Sequence, residues 1–409
     1  MLLKTIFVSF FHLLIIATLN YCSCCHFPFQ GFGVYLGKLS DLNDTTPLIR
    51  KTIIDRVYND LKIRLFRSEY VHSFSPSEDE YAIECQDKQT CSWITMHSML
   101  SELPEKDLFI SIWSPPYYMK NHRRQLKEEY ETSYRYYLNN ITQLVQDRFN
   151  LTVKQISLAN EPENMFAAWD ECSMSAAQLC RLVQTYEEDR FKVCPENAYF
   201  WVSKIYRDYS YQGIDCRKAC EIIISHGYKI NYNIFSPNFG RVYYDSEIYK
   251  EEYRGNPVWI TEISSTYLFS EFTQMQEALD LSDSIVNFVG TTCVQRFYYW
   301  STFTKSKSGE SLIWGTKSHH HHVDEIMFPK KYYAYKHFTV AAYGTSNRTD
   351  CSTDGYSCLQ FDDRKVFVNR EIATIDLRSS TKLCCTTDDY DFICQQSDFL
   401  PPRSVCSSS

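Results

Sequence analysis

Glycine is scarce in this chain, 12 residues in 409, and proline adds only 13. That excludes collagen-like, linker-rich and low-complexity classes; 31 Tyr, 26 Phe and 7 Trp instead mark an ordered globular protein. The glycine-rich phosphate loops of nucleotide enzymes are missing, in both the Walker and the dinucleotide pattern, and no cofactor is expected. A basic excess is missing too. With 42 Lys+Arg against 50 Asp+Glu, nucleic acid and anionic membrane surfaces are poor partners, and a neutral ligand fits better. Beyond the N-terminus there is no second apolar run of about 18 residues, so no integral membrane segment is expected in the mature protein.

What is present begins with a leader. Lys4, an apolar run from Ile6 to Leu19 and small or polar residues around Tyr21 to Cys25 predict a signal peptide over 1–25. The protein is therefore expected to be secreted or extracellular, with lysosome or vacuole as other ends of the same route. Setting aside Cys22, Cys24 and Cys25 leaves an even number of the 17 cysteines, which suits disulfides. Cys85 with Cys91, Cys216 with Cys220 and Cys351 with Cys358 are candidate local bridges. Sequons at Asn43, Asn140, Asn150 and Asn347 are candidate N-glycan sites.

Strand-like and helix-like segments then alternate. Phe29 to Tyr35 reads as a first strand; Thr46 can cap a helix with Pro47 in its first turn; Lys62 to Arg67 reads as a second strand. Further strands are expected at Leu108 to Trp113, in the apolar stretch Ile156 to Pro162, and at Ala198 to Lys204, Cys220 to Ser225, Val258 to Thr261 and Cys293 to Trp300. Eight strands joined mostly by helices predict a (β/α)8 TIM barrel of the α/β class over 26–334. From about Tyr335 helical periodicity fades, and short β-rich runs predict a small C-terminal antiparallel β module over 335–409, stapled by cysteines.

Two expected strands end alike, Ala159-Asn160-Glu161-Pro162 and Ile260-Thr261-Glu262. Strands four and seven of a barrel deliver such ends to the same mouth, at the C-terminal face where catalytic residues sit. Facing carboxyls are the equipment of a glycosidase: one protonates the leaving oxygen and the other attacks the anomeric carbon. Four consecutive histidines, His319 to His322, suggest a metal, but alternate residues of an extended chain point apart, so a solvated loop is expected and no metal site.

In several blocks the chain resembles glycoside hydrolase family 30, the relatives of glucosylceramidase, endo-xylanases and β-1,6-glucanases. The matching pieces are Gln30-Gly31-Phe32-Gly33, Trp113-Ser114-Pro115-Pro116, Asn160-Glu161-Pro162-Glu163-Asn164, His226-Gly227-Tyr228, Thr261-Glu262 and Tyr333-Ala334-Tyr335-Lys336-His337-Phe338, in family order. The resemblance implies that Glu161 is the acid/base, Glu262 the nucleophile, and Asn160 the holder of the sugar 2-hydroxyl. It implies that Arg67 keeps Glu262 ionised, that Tyr228 donates a hydrogen bond to it, and that Trp113 and Trp300 line the sugar. His226 is expected to be a hydrogen-bonded core histidine. After Gly33, Val34-Tyr35-Leu36 replaces the family's small and acidic residues.

These features together point to a retaining β-glycosidase acting on a polysaccharide or glycolipid. The alternatives are a catalytically inactive, lectin-like carbohydrate-binding barrel and a transglycosylase. The segments Cys85 to Cys91, Phe166 to Cys172 and Thr304 to Trp314 are expected to shape the outer subsites.

Overall fold

The computed structural model describes residues 25–36, 39–70, 84–85, 88–164, 171–230, 242–244, 256–264, 274–319 and 322–408. The leader expected over 1–25 lies outside them except for Cys25, which is bonded to Cys293. Eight parallel strands form the barrel: β1 Gly31–Tyr35, β2 Leu65–Tyr70, β3 Asp107–Ile112, β4 Val153–Ser157, β5 Val193–Tyr199, β6 Ile222–Ile230, β7 Val258–Glu262 and β8 Arg296–Tyr299. Their ladder runs β4-β3-β2-β1-β8-β7-β6-β5. It is therefore a ring open only between β4 and β5. At that seam the Glu161 N–H donates to the Glu196 carbonyl, 2.9 Å away. The Glu163 carboxylate adds bonds from Asn197 Nδ2 (2.8 Å) and the Ala198 N–H (2.7 Å).

Local signals account for much of the helical ring. Helix α1, Pro47–Asp55, starts where the Thr46 hydroxyl accepts from the Ile49 N–H, with proline at its first position and Ile49 and Ile53 turned inward. Helices α2 Lys88–Ser101 and α3 Glu131–Phe149 follow; α3 buries Tyr134, Tyr137, Leu138, Ile141 and Val145 at three- and four-residue spacing and ends on Asn150 in the left-handed region. Ser175 caps α4, Ala176–Thr185. Next come α5 Phe200–Arg207, α6 Gln274–Ile285 and α7 Lys330–Ala342.

Inside the barrel, Leu65, Phe109, Val193, Ile224, Trp259 and Tyr298, one from each of six strands, pack as a buried layer. Gly33 is required beside it, since a Cβ there would lie 2.4 Å from the Tyr298 ring. Strand side chains alternate, so the next inward positions up the barrel, Arg67 among them, lie nearer the mouth.

Several expectations need correcting. Strand five is Val193–Tyr199, not Ala198 to Lys204, most of which belongs to α5. β2 continues to Tyr70, so Arg67 stands in mid-strand. Helical structure persists past Tyr335, because α7 runs to Ala342 and crosses the expected 334/335 boundary. Beyond it lies the antiparallel module: β11 Thr349–Asp350, β12 Ser357–Phe361, β13 Arg364–Asn369, β14 Ile375–Thr386, β15 Ile393–Leu400 and β16 Ser404–Ser408, in the order β11-β12-β13-β16-β14-β15. The preceding hairpin, β9 Ile313–His319 with β10 His322–Met327, pairs His319 with His322 at its tip, and the two histidines between lie outside the described residues. Helix α7 ties module to barrel through buried His337, whose ring nitrogens meet Ser407 Oγ at 2.9 Å and Thr386 Oγ1 at 3.1 Å.

Among the described residues seven disulfides are formed. Cys85–Cys91 and Cys351–Cys358 are among them. Cys216 and Cys220 do not bond to each other; they pair with Cys180 and Cys194, tying α4 and β5 to the chain entering β6. Buried Cys172 takes part in none of these bridges. Among the described residues no helix is long and apolar enough to cross a membrane. Asn140, Asn150 and Asn347 are exposed, whereas Asn43 is half-buried and accepts a hydrogen bond from Thr95.

Candidate active site

The chain leaving β4 delivers Asn160 and Glu161 to the barrel mouth, and β7 ends on Glu262. Both glutamates are almost enclosed, at 6 % and 7 % exposure. Glu161 has a φ of 48°, a left-handed conformation that costs a non-glycine residue on the order of 1–3 kcal/mol and occurs at functional sites more often than elsewhere. Its main chain is held from both sides, by the bond to Glu196 and by an N–H from Asn164.

Arg67 organises the centre. Its guanidinium donates to Glu262 Oε2 at 2.8 Å, Asn160 Oδ1 at 2.7 Å and Glu196 Oε1 at 3.1 Å. Glu262 receives its other bond from the Tyr228 hydroxyl at Oε1, 2.8 Å. Glu161 is gripped differently: His226 Nδ1 lies 3.0 Å from Oε1, and Asn164 Nδ2 donates to Oε2 at 3.1 Å. An oxygen of each glutamate and a ring nitrogen of His226 all lie within 4.8 Å of one another. On the other side of the mouth Trp300 stacks on Tyr35, with ring centres 4.2 Å apart, and on half-buried Trp113 at 5.4 Å. The Arg67 guanidinium lies 5.9 Å from the Trp300 ring.

Several carboxylates and two cations share this enclosed space, and their ionisation follows from that. Burial acts to raise Glu196, but Arg67 and His226 outweigh it and hold the carboxyl well below the usual range. Burial acts to lower His226, but Glu262, Glu161 and Glu196 outweigh it and push the imidazole well above its ordinary value. Arg67 is raised further by Glu196 and Glu262 against its own burial. Burial, with the Glu161 charge adding to it, takes Glu163 up to about 7, despite the hydrogen bonds it accepts.

All seven residues expected at the site, Glu161, Glu262, Asn160, Arg67, Trp113, Tyr228 and Trp300, come together here. Sequence reasoning missed Glu196 entirely and left His226 in the core, although His226 faces both glutamates, with Nε2 3.8 Å from Glu262 and 3.7 Å from Glu196. Even with strand five placed correctly, alternation from inward-facing Val193 would have turned Glu196 outward; a register shift between Cys194 and Asn197 and a left-handed φ of 22° at Glu196 accompany its turn into the barrel. Phe166 to Asp170, expected among the outer subsites, lies outside the described residues. Glu161, His226 and Glu262 stand close enough to hold a metal ion. However, Arg67 and Asn164 already engage the two carboxylates, and the raised imidazole keeps a proton that a metal ligand must release.

The fold is an eight-stranded parallel barrel with a β module, and solved structures share that fold almost end to end. No family model matches the chain, and no curated protein does. A family 30 endoxylanase from Clostridium papyrosolvens is 15 % identical, covering 95 % of this chain and 97 % of its own, with a TM-score of 0.65. The catalytic domain of family 30 xylanase C from Talaromyces cellulolyticus is 14 % identical over 94 % of this chain and 98 % of its own, at 0.69. An endo-β-1,6-glucanase is 15 % identical over 93 % and 92 %, at 0.63. The chain thus has the fold of these glycoside hydrolases, barrel and β module together.

Proposed function

We propose that this chain is a secreted retaining β-glycosidase that cleaves β-glycosidic bonds of a polysaccharide or glycolipid by double displacement. The observation that carries this is the closeness of Glu161 and Glu262, whose nearest oxygens lie within 4.8 Å. Retaining enzymes keep their carboxyls about 5–5.5 Å apart, whereas inverting ones need about 6.5–9.5 Å to admit a water.

In the first step Glu262 Oε attacks the anomeric carbon, the bond to the leaving oxygen breaks, and a proton passes from Glu161 to that oxygen. Arg67 and the Tyr228 hydroxyl stabilise the anionic nucleophile. His226 Nδ1 at 3.0 Å and the Asn164 amide fix the orientation of the Glu161 carboxyl for this transfer. In the second step Glu161 takes a proton from water as the water attacks the same carbon, and Glu262 leaves as carboxylate. Asn160 is the contact for the 2-hydroxyl, and Trp113 and Trp300 offer aromatic surface and indole N–H groups to the sugar.

Seven disulfides support an oxidising, extracellular compartment. The neighbours' substrates, xylan and β-1,6-glucan, make β-linked polysaccharides the first to assay. Glu262→Gln should abolish turnover of aryl β-glycosides, and Glu161→Gln should cut it sharply for those with poor leaving groups, while both keep the fold. Wild-type-like turnover in either overturns the assignment, and sugar binding without turnover by the wild type makes the chain a carbohydrate-binding barrel.

A further inference from the structure

The barrel mouth divides by strand. β4 to β7 carry Glu161, Glu196, His226 and Glu262, while β1 and β2 on the opposite side carry Tyr35 and Glu69. Glu69 lies two residues after Arg67, so strand alternation puts it on the same inward side, closer to the mouth. It is 2 % exposed. Among the described residues, neither its Oε2 nor the Tyr35 hydroxyl has a hydrogen-bond partner beyond the neighbour each finds in the other. Buried carboxylate oxygens are rarely left so, because the desolvation is then uncompensated.

A sugar whose anomeric carbon sits between Glu161 and Glu262 extends its far ring carbons toward the β1–β2 side. We propose that Glu69 is a specificity-determining residue that accepts a hydrogen bond from a sugar hydroxyl remote from the reacting bond, at C3 or C4. This rests on the glycosidase function proposed above. Tyr35 is the floor of that subsite: its ring is fixed by stacking on Trp300, and its hydroxyl lies beside the Glu69 carboxyl. Burial takes Glu69 up to about 7, against the opposing pull of Tyr35 and Arg67, so a donated hydroxyl would favour its charged form. Tyr35 stands within Val34-Tyr35-Leu36, where the chain departs from the family pattern, and the departure gives this carboxyl its aromatic neighbour.

The test measures kcat/KM of the wild type and of Glu69→Gln on 4-nitrophenyl β-glucoside, β-galactoside and β-xyloside, then on the 3-deoxy and 4-deoxy analogues of the best of these. In the wild type one analogue should lose about 10- to 100-fold, the range for a hydrogen bond to a charged acceptor. In Glu69→Gln that penalty should shrink to within about threefold, while the response to the other analogue stays as in the wild type. A parent glycoside hydrolysed with no penalty at either position, or a penalty unchanged in the variant, overturns the proposal alone. Failure to hydrolyse any parent overturns the glycosidase assignment and the proposal with it. Should the variant not fold, the wild-type comparison still decides, since absence of a penalty refutes it.

Discussion

Replacing Arg67 by methionine should destabilise the protein more than any single surface change, and in a pH-dependent way. The guanidinium is 1 % exposed and engages two buried carboxylates, Glu262 at 2.8 Å and Glu196 at 3.1 Å. Removing one partner of a buried ion pair costs about 3–5 kcal/mol because the charge left behind is uncompensated. That is a large share of the roughly 5–15 kcal/mol by which domains are stable. In the wild type Glu196 is held below the usual carboxylate range by Arg67 and His226, against the effect of burial. A group depressed in the folded state contributes stability that is complete above its unfolded pKa and is lost as pH falls through the folded value. Without Arg67, the strongest influence opposing burial is lost, His226 alone of the two cations remains, and Glu196 moves upward; once protonated, it needs no cation. The gap between wild type and variant should therefore be largest near neutrality and narrow on acidification. Urea unfolding at pH 7 and near pH 4.5, with disulfides intact, measures both stabilities. A gap under about 1 kcal/mol at pH 7, the range of surface ion pairs, or one that widens in acid, would refute the reasoning.

Tyr228→Phe removes the 2.8 Å bond to Glu262 Oε1 and should lower kcat/KM on aryl β-glycosides by about 10- to 100-fold, with the melting temperature within a few degrees of wild type. Glu161→Ala should slow glycosides with poor leaving groups far more than dinitrophenyl ones, and added azide should restore turnover by yielding the β-glycosyl azide; equal losses for both classes would remove Glu161 from the acid role. Replacing Cys180 and Cys216 together by serine opens a cross-link spanning 36 residues and should cost about 3–4 kcal/mol, read from urea midpoints.

The two carboxylate-bearing strand ends were legible because each combines a buried apolar run with an abrupt polar stop, the pattern of a strand enclosed on both sides. Strand five was not, because Val193–Tyr199 carries Pro195, Glu196 and Asn197, residues that locally favour a turn. They sit in a strand because Arg67, Ser111 and His226 receive the Glu196 carboxylate inside the barrel, a tertiary effect with no local trace. Helix α7 was missed for a different reason. It is covered by barrel and module, with Lys331, Tyr332, Ala334, Tyr335, His337 and Phe338 all buried, so it shows no polar stripe to mark its period. Local cysteine spacing identified Cys85–Cys91 and Cys351–Cys358, but the bridges of Cys216 and Cys220 follow the packing of α4 and β5.

The covalent intermediate on Glu262 is the most direct test. Incubation with 2-deoxy-2-fluoro-β-glycosyl fluorides of glucose, galactose and xylose slows both chemical steps, while the reactive fluoride leaving group lets the first proceed, so the glycosyl ester accumulates. Peptide mass spectrometry should then find one fluoroglycosyl increment on the peptide containing Glu262, and none in Glu262→Gln. No increment with any of the sugars, or an increment on another residue, would contradict the assignment of Glu262 as the nucleophile of a retaining glycosidase.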